Sequence, residues 1–413
     1  MKKKVSRVWF LLCGCALLAG GALRPDAAGT SFRGGPAGRI SVAVRVFDAG
    51  RFVSDLSLKD FEVLEAGMPV TPEAVFLVRK DKIERREGAS EIQPDVSRTI
   101  VLLFQLLDYH SKIPEALDFF FKDELLPGDT LEIQTPMRNY KLTPEALAKK
   151  SRASLAKELA EIVKKDIVQG GMAYNSTMRD LKRFVRQIGG VGRTGLGDTE
   201  GEVDDGSSLE HQLTQYADNL QKMETLRVID EEKLLGFART MKAQAGRKNV
   251  FYIYQREFRP EISSQTIDQL MFNNQDRPNV MAEVQSLFRM YHRSITLNHA
   301  RLKQAFADSG MNFNFLFMNR PPERISGINM REQSEDIFKA LNAAAEATGG
   351  ASDTSQNPAA SIKSTMKTSE AYYLLFFSPS TAAPPGTFID LRVKVKGKDY
   401  KTAHRAGYLT GSR

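Results

Sequence analysis

An α/β fold is what the sequence predicts: a doubly wound, mostly parallel sheet, joined to a small β-sandwich-like module formed by N- and C-terminal strands. Three observations carry this expectation. From Arg98 onward, apolar runs of strand length alternate with segments of helical spacing, the order in which a parallel sheet covered on both faces is threaded. The first of those runs, Ile100 to Leu107, is almost continuously apolar, as a strand buried on both faces requires. Outside that region, Ile40 to Phe47 and Thr387 to Lys396 alternate apolar with polar residues, so each has one face to bury and one to leave wet.

Residues 1–28 are set apart as an export signal. Lys2, Lys3, Lys4 and Arg7 form a basic start, Val8 to Leu12 and Ala16 to Ala19 an apolar core, and Gly20-Gly21-Ala22 a small-residue cleavage site. The apolar run from Val8 to Leu23 is 16 residues, short of the roughly 18 that a spanning helix needs, so no transmembrane segment is expected after cleavage. Leu12-Cys13-Gly14-Cys15 resembles a lipobox with Cys15 as the acylated residue. Only about five apolar residues precede it, fewer than the 7 to 15 of an ordinary signal core, and a soluble periplasmic or extracellular protein is the preferred reading. Both cysteines and the single tryptophan, Trp9, lie in this segment, so disulfides do not hold the mature chain together. Cleavage after Ala22 removes four cations and no acid, taking the net charge from +8 to +4, too mild a balance to argue for nucleic acid.

The remainder of the 413 residues, 42% apolar and 26% charged overall, is ordinary for a soluble protein of two or three domains. Residues 29–97 read as a β module: a strand at Ile40 to Phe47 turned by Asp48-Ala49-Gly50, a second at Phe61 to Glu65 ended by Ala66-Gly67, and a third at Val75 to Arg79. Alone it is too small to be stable. Residues 98–370 read as the sheet domain. Ile113 to Leu126 has helical spacing and stops at Pro127-Gly128-Asp129, and Thr130 to Thr135 is the next strand. Thr143 and Pro144 open a helix as N-cap and first residue. Helices are expected at about 145 to 165, 174 to 188, 207 to 244, 279 to 308 and 333 to 347, with strands at 249 to 254 and 312 to 318. Residues 371–413 return to strands, Ala371 to Phe377 and Thr387 to Lys396, parted by Pro379, Pro384 and Pro385, and are expected to pack on the N-terminal module.

The stretch from Val46 to Gly67, with Asp48-Ala49-Gly50, Val53, Leu56, Asp60-Phe61-Glu62-Val63 and Glu65-Ala66-Gly67, resembles the β module that precedes the sheet domain in bacterial exported proteins of the von Willebrand factor type A-related family. Leu126 to Asp129, Gly246-Arg247-Lys248, Gly349-Gly350, Tyr372 to Pro379 and Gly407-Tyr408 follow in the same order. In metal-binding members of that family, Asp-x-Ser-x-Ser after the first strand, a threonine from a later loop and an aspartate after a middle strand hold Mg²⁺ or Mn²⁺ through hard oxygens. Aligned on strand ends, this chain offers Gln105, Leu107 and Tyr109 for the first motif; started at Asp108, it offers His110 and Lys112 for the serines. The threonine position falls near Met172 and the second aspartate on Gln255. The resemblance therefore implies a degenerate metal-ion-dependent adhesion site, with no metal and no cofactor.

Other constellations read as structure. Gly190-Val191-Gly192-Arg193-Thr194-Gly195 spells a dinucleotide fingerprint but follows a helix rather than a strand, and Asp198 to Asp205 lacks the spacing of a calcium loop; both are taken as loop. Leu209, Leu213, Tyr216, Leu220 and Met223 form a seam at spacings of four and three, expected to pack on the sheet. His292 and His299 lack acidic neighbours at ligand spacing.

The expectation is a non-catalytic, extracytoplasmic protein-binding or adhesion-type module whose partner is a protein of the cell envelope. Contact is expected at the strand-end rim, where open α/β sheets bind ligands, through Asp108, Tyr109, His110, Ser111, Tyr174, Asn175, Gln255 and Arg256. The alternative is a hydrolase using Asp108, His110 and Ser111, although no nucleophile elbow surrounds Ser111.

Overall fold

The computed structural model describes residues 38–189, 208–227, 229–291, 297–325 and 328–411. The export segment, the Gly190–Gly195 fingerprint, the acidic stretch after it and His292 lie outside the described residues. Six strands come first: β1 (Ile40–Asp48), β2 (Arg51–Phe52), β3 (Phe61–Glu65), β4 (Met68–Val70), β5 (Ala74–Arg79) and β6 (Lys82–Gly88). Next come β7 (Arg98–Gln105), α1 (Ile113–Phe119), β8 (Thr130–Gln134), β9 (Asn139–Leu142), α2 (Pro144–Ala148), α3 (Arg152–Ile188), α4 (Leu209–Arg227) and α5 (Glu231–Ala243). They lead to β10 (Arg247–Gln255), β11 (Phe258–Ile262), α6 (Ser264–Asn273), α7 (Pro278–Tyr291), α8 (His299–Asp308), β12 (Asn312–Met318), β13 (Ile328–Glu332), α9 (Glu335–Ala347), β14 (Ser352–Ser355) and α10 (Pro358–Ser369). The chain closes with β15 (Ala371–Phe377), β16 (Phe388–Val395), β17 (Lys401–Ala403) and β18 (Gly407–Leu409).

The predicted doubly wound, mostly parallel fold is corrected by these strands. Among the described residues ten of fourteen strand pairings are antiparallel. The protein is a mixed α/β chain with several antiparallel sheets. One antiparallel sheet runs β17-β1-β15-β5-β6 with β2 on β1, a second runs β18-β16-β3-β4, and β11 and β13 form a ribbon. The middle sheet, β14-β12-β10-β7-β8-β9, is mixed: β9 runs antiparallel to β8. The misreading has a physical source. Polar β6 and β9 carry too little apolar periodicity to register as strands, and β11 contains Pro260, which argues against a strand from sequence alone.

Apolar periodicity nevertheless places the cores. Ile100, Leu102 and Phe104 of β7 face α1, α3 and α10, while Val101 and the alternate residues of β10 face α5, α8 and α9. Val42, Val44 and Val46 of β1 share a core with Phe61 and Val63 of β3, Tyr373 and Leu375 of β15, and Leu391, Val393 and Val395 of β16. Tyr373 reaches through this core, donating to Val53 O at 3.0 Å and accepting from Leu56 N at 3.1 Å. The seam on α4 packs against α3 and α7 rather than against the sheet.

The helices expected at about 145 to 165 and 174 to 188 are not separate: after the five-residue α2, a single 37-residue α3 runs through both. Thr143 caps α2 by accepting from Ala146 N. Gly170-Gly171 does not break α3. A Cβ on Gly171 would stand 2.1 Å from Leu107 O, and one on Gly170 would stand 2.6 Å from Pro136 Cβ. Gly171 lets the helix lie against the loop that leaves β7, and Gly170 lets it lie against the turn between β8 and β9.

Candidate functional site at the strand-end rim

The rim is built by three adjacent parallel strands. In register, Gln105 of β7 pairs with Tyr254 of β10, and Gln255 pairs with Met318 of β12, so the chain leaves all three strands at one level. Buried Leu106 anchors the loop leaving β7. Gln255 Oε1 then accepts from Leu107 N at 3.3 Å and Asp108 N at 3.1 Å. An amide thus holds backbone where the family resemblance implies a ligating acid.

Asn175 lies four residues beyond Gly171 on α3. Its Nδ2 donates to Leu107 O at 3.3 Å and to Asp108 Oδ1 at 3.1 Å. The other carboxylate oxygen, Oδ2, accepts from Arg320 Nη1, two residues past the end of β12. Both oxygens of Asp108 are therefore engaged, and the cation beside them is a guanidinium of the chain itself. The pair is partly open to solvent, Asp108 at 40% and Arg320 at 30%.

The remaining residues named from the sequence do not converge on this carboxylate. Tyr174 is buried and donates to Phe258 O at 3.2 Å. The Tyr109 ring is half-buried with Lys164 Nζ 5.7 Å from its centroid, and burial, then the charge of Glu161, raises its phenol pKa. His110 Nδ1 accepts from Lys112 N at 3.1 Å, and Ser111 is exposed. No hydrogen bond links His110 to Asp108 or Ser111 among the described residues, so the hydrolase constellation is not assembled. Arg256 turns to Phe317, 5.5 Å from its ring centroid. Its Nε lies 3.2 Å from Glu332 Oε1 but is buried without hydrogen-bond geometry, so proximity there is not a bond.

Arg320 was missed from sequence. The signal was present, because Asn319-Arg320-Pro321 follows the apolar β12 as Arg256 follows β10. A second missed cluster flanks the β11–β13 ribbon. Buried Arg259 donates to Glu261 Oε1 from Nε at 3.2 Å and Nη2 at 2.5 Å. Tyr216 gives its only proton to Pro260 O at 2.9 Å, so Tyr291 donates to Tyr216 at 2.8 Å, and burial pushes the Tyr291 phenol up to about 12. A cleft of about 430 Å³ opens beside them, lined by Glu261, Ser264, Tyr291 and Arg331 among others.

Among the described residues no three His, Cys, Asp or Glu side chains gather where they could hold a metal ion. No described helix is long and apolar enough to cross a membrane. No family model matches the chain, and no curated protein matches it.

Proposed function

We propose that the protein is a non-catalytic, exported binding module that takes a protein partner of the cell envelope at its strand-end rim without a metal ion. The order of its sequence motifs supports distant kinship with the von Willebrand factor type A-related family. The observation that carries the reading is Arg320 on Asp108. A guanidinium has five donors in a planar fork, and one Nη1 contact to Asp108 leaves others for a carboxylate of the partner.

Apolar surface beside the pair supports protein contact. Val168 and Met172 of α3 are 50% and 63% exposed, and at spacings of four and three they share a helix face with Asn175. Exposed apolar side chains next to a polar rim are the anatomy of a protein interface. The inferred partner presents an acidic side chain beside an apolar one. Nucleic acid is not inferred, given the mild charge of the exported form.

The experiment is capture from a cell-envelope extract by the purified mature protein, with and without EDTA. A specific protein should be retained equally in both, lost by Arg320→Glu and weakened by Met172→Asp. Retention that needs a divalent cation, or that ignores both substitutions, contradicts the proposal. So does turnover of a small substrate that Ser111→Ala abolishes.

A further inference from the structure

The cleft beside the β11–β13 ribbon carries unmatched charge of both signs. At its inner end stands Glu261 of β11, whose side chain is 6% exposed. Arg259 directs Nε and Nη2 to one carboxylate oxygen, Oε1, at 3.2 and 2.5 Å. The other oxygen, Oε2, accepts no hydrogen bond among the described residues, yet it is not sealed from solvent. Arg259 is held on the Oε1 side. Its Nη1 donates to Met290 O at 3.5 Å and lies 3.6 Å from Glu224 Oε1, and its guanidinium sits 5.3 Å from the Tyr291 ring centroid. A carboxylate oxygen so deeply placed is costly to leave without a donor.

Tyr291 adds an acceptor to the same end. It gives its proton to Tyr216 and accepts from Ile262 N at 3.4 Å, so any further hydrogen bond at its oxygen must be accepted. Acceptors and negative charge together call for a cationic donor.

The mouth is opposite in sign. Arg331 of β13 is 46% exposed, with Nη1 3.8 Å from Glu261 Oε1, too long for a hydrogen bond. Its guanidinium makes no hydrogen bond among the described residues, which leaves the fork open to an anion. Exposed Ser264 is the first residue of the ten-residue α6, whose N-terminal dipole also favours negative charge. Buried Ile262 and Ile267 supply an apolar part of the wall.

We infer that this cleft binds a free α-amino acid with an apolar side chain, its ammonium on Glu261 Oε2, its carboxylate on the Arg331 guanidinium and its side chain against Ile262 and Ile267. An ammonium and a carboxylate joined through one carbon suit a carboxylate and a guanidinium 3.8 Å apart, each meeting its partner at charge-assisted lengths of about 2.8 Å. The volume of about 430 Å³ falls within the range of about 300–1,000 Å³ usual for small-molecule sites. The site is separate from the rim and stands whether or not the rim binds a protein.

Calorimetric titration of the purified protein with L-leucine and L-phenylalanine should give saturable binding of at least one. For the one that binds, the N-acetyl derivative lacks the ammonium and the amide lacks the carboxylate, and each should bind about tenfold or more weakly, since each loses a charge-assisted hydrogen bond. Arg331→Gln should abolish the preference for the acid over the amide with little change in melting temperature, because the arginine is part-exposed. Glu261→Gln should abolish the preference for the free amine. Both derivatives are read on the unaltered protein, so a poorly folded Glu261 variant leaves the test intact. No saturable binding of either amino acid, equal affinity for either derivative, or an unchanged preference in Arg331→Gln would overturn the inference.

Discussion

The two ends of the middle sheet hold charge in opposite ways. Where β7, β10 and β12 finish, Asp108 and Arg320 neutralise each other in partial contact with water, steadied by Asn175 and Gln255. Where they begin, Arg45, Arg247, Lys248 and Arg405 crowd behind carbonyls, hydroxyls and aromatic rings. A part-exposed ion pair contributes little to stability because water screens it and side-chain entropy opposes it. A buried cation costs desolvation, and breaking its hydrogen bonds leaves acceptors stranded. The rim can therefore be adapted to a partner at small cost in folding, whereas the basic end ties β1 to the start of β12 and to the loop after α9.

Matched truncations should separate the two ends most sharply. Arg45→Ala takes the donor from Asn312 Oδ1 and Gly349 O, while Ser369 Oγ keeps its contact with Asn312 Nδ2, and is expected to lower unfolding stability by about 2–4 kcal/mol. Arg320→Ala should cost less than about 1 kcal/mol, since the pair it breaks is part-exposed. Urea denaturation of both variants reads the difference. Equal losses would mean that burial does not distinguish the two arginines.

A smaller effect is expected from pH at the basic end. His404 Nε2 accepts from Val393 N at 3.1 Å, so the neutral ring carries its proton on Nδ1 and donates it to Arg405 O at 2.8 Å. Burial lowers its pKa below the ordinary 6.5, with Arg405 adding to the shift and the carbonyl contact opposing it. The unfolded chain then binds this proton at a higher pH than the folded one. The stabilisation is complete above pH 6.5 and is lost as pH falls from there through the lowered folded value. Urea midpoints should decline across that window, and His404→Gln should flatten the decline. An unchanged slope in the variant would assign the effect elsewhere.

What could be read from sequence follows how each element is buried. β7, β10, β12 and β15 are apolar on both faces, and β1 and β16 alternate, so their own side chains declare them. β6, β9 and β13 are polar and become strands through the neighbour that pairs with them, information their own residues do not hold. α10 lies beyond the last helix expected from the sequence, although Asn357 caps it by accepting from Ala359 N and Ala360 N, with Pro358 at its first turn. At the rim, Asp108, Asn175 and Gln255 were legible as strand-end and helix residues, but Arg320 lies 212 residues from Asp108 and meets it only through the strand order. Tyr174 adjoins Asn175 in sequence, yet a step of about 100° round the helix turns it to the core.

The smallest expected effect tests the rim most directly. With the Arg320 guanidinium on Asp108, and Gln255 turned to backbone amides, no anionic pocket is left for a small divalent ion. Thermal melts in millimolar Mg²⁺ or Mn²⁺ should superimpose on those in EDTA. A saturable rise in melting temperature that Asp108→Ala abolishes would show that a metal displaces the arginine, and would contradict a rim whose cation is part of the chain.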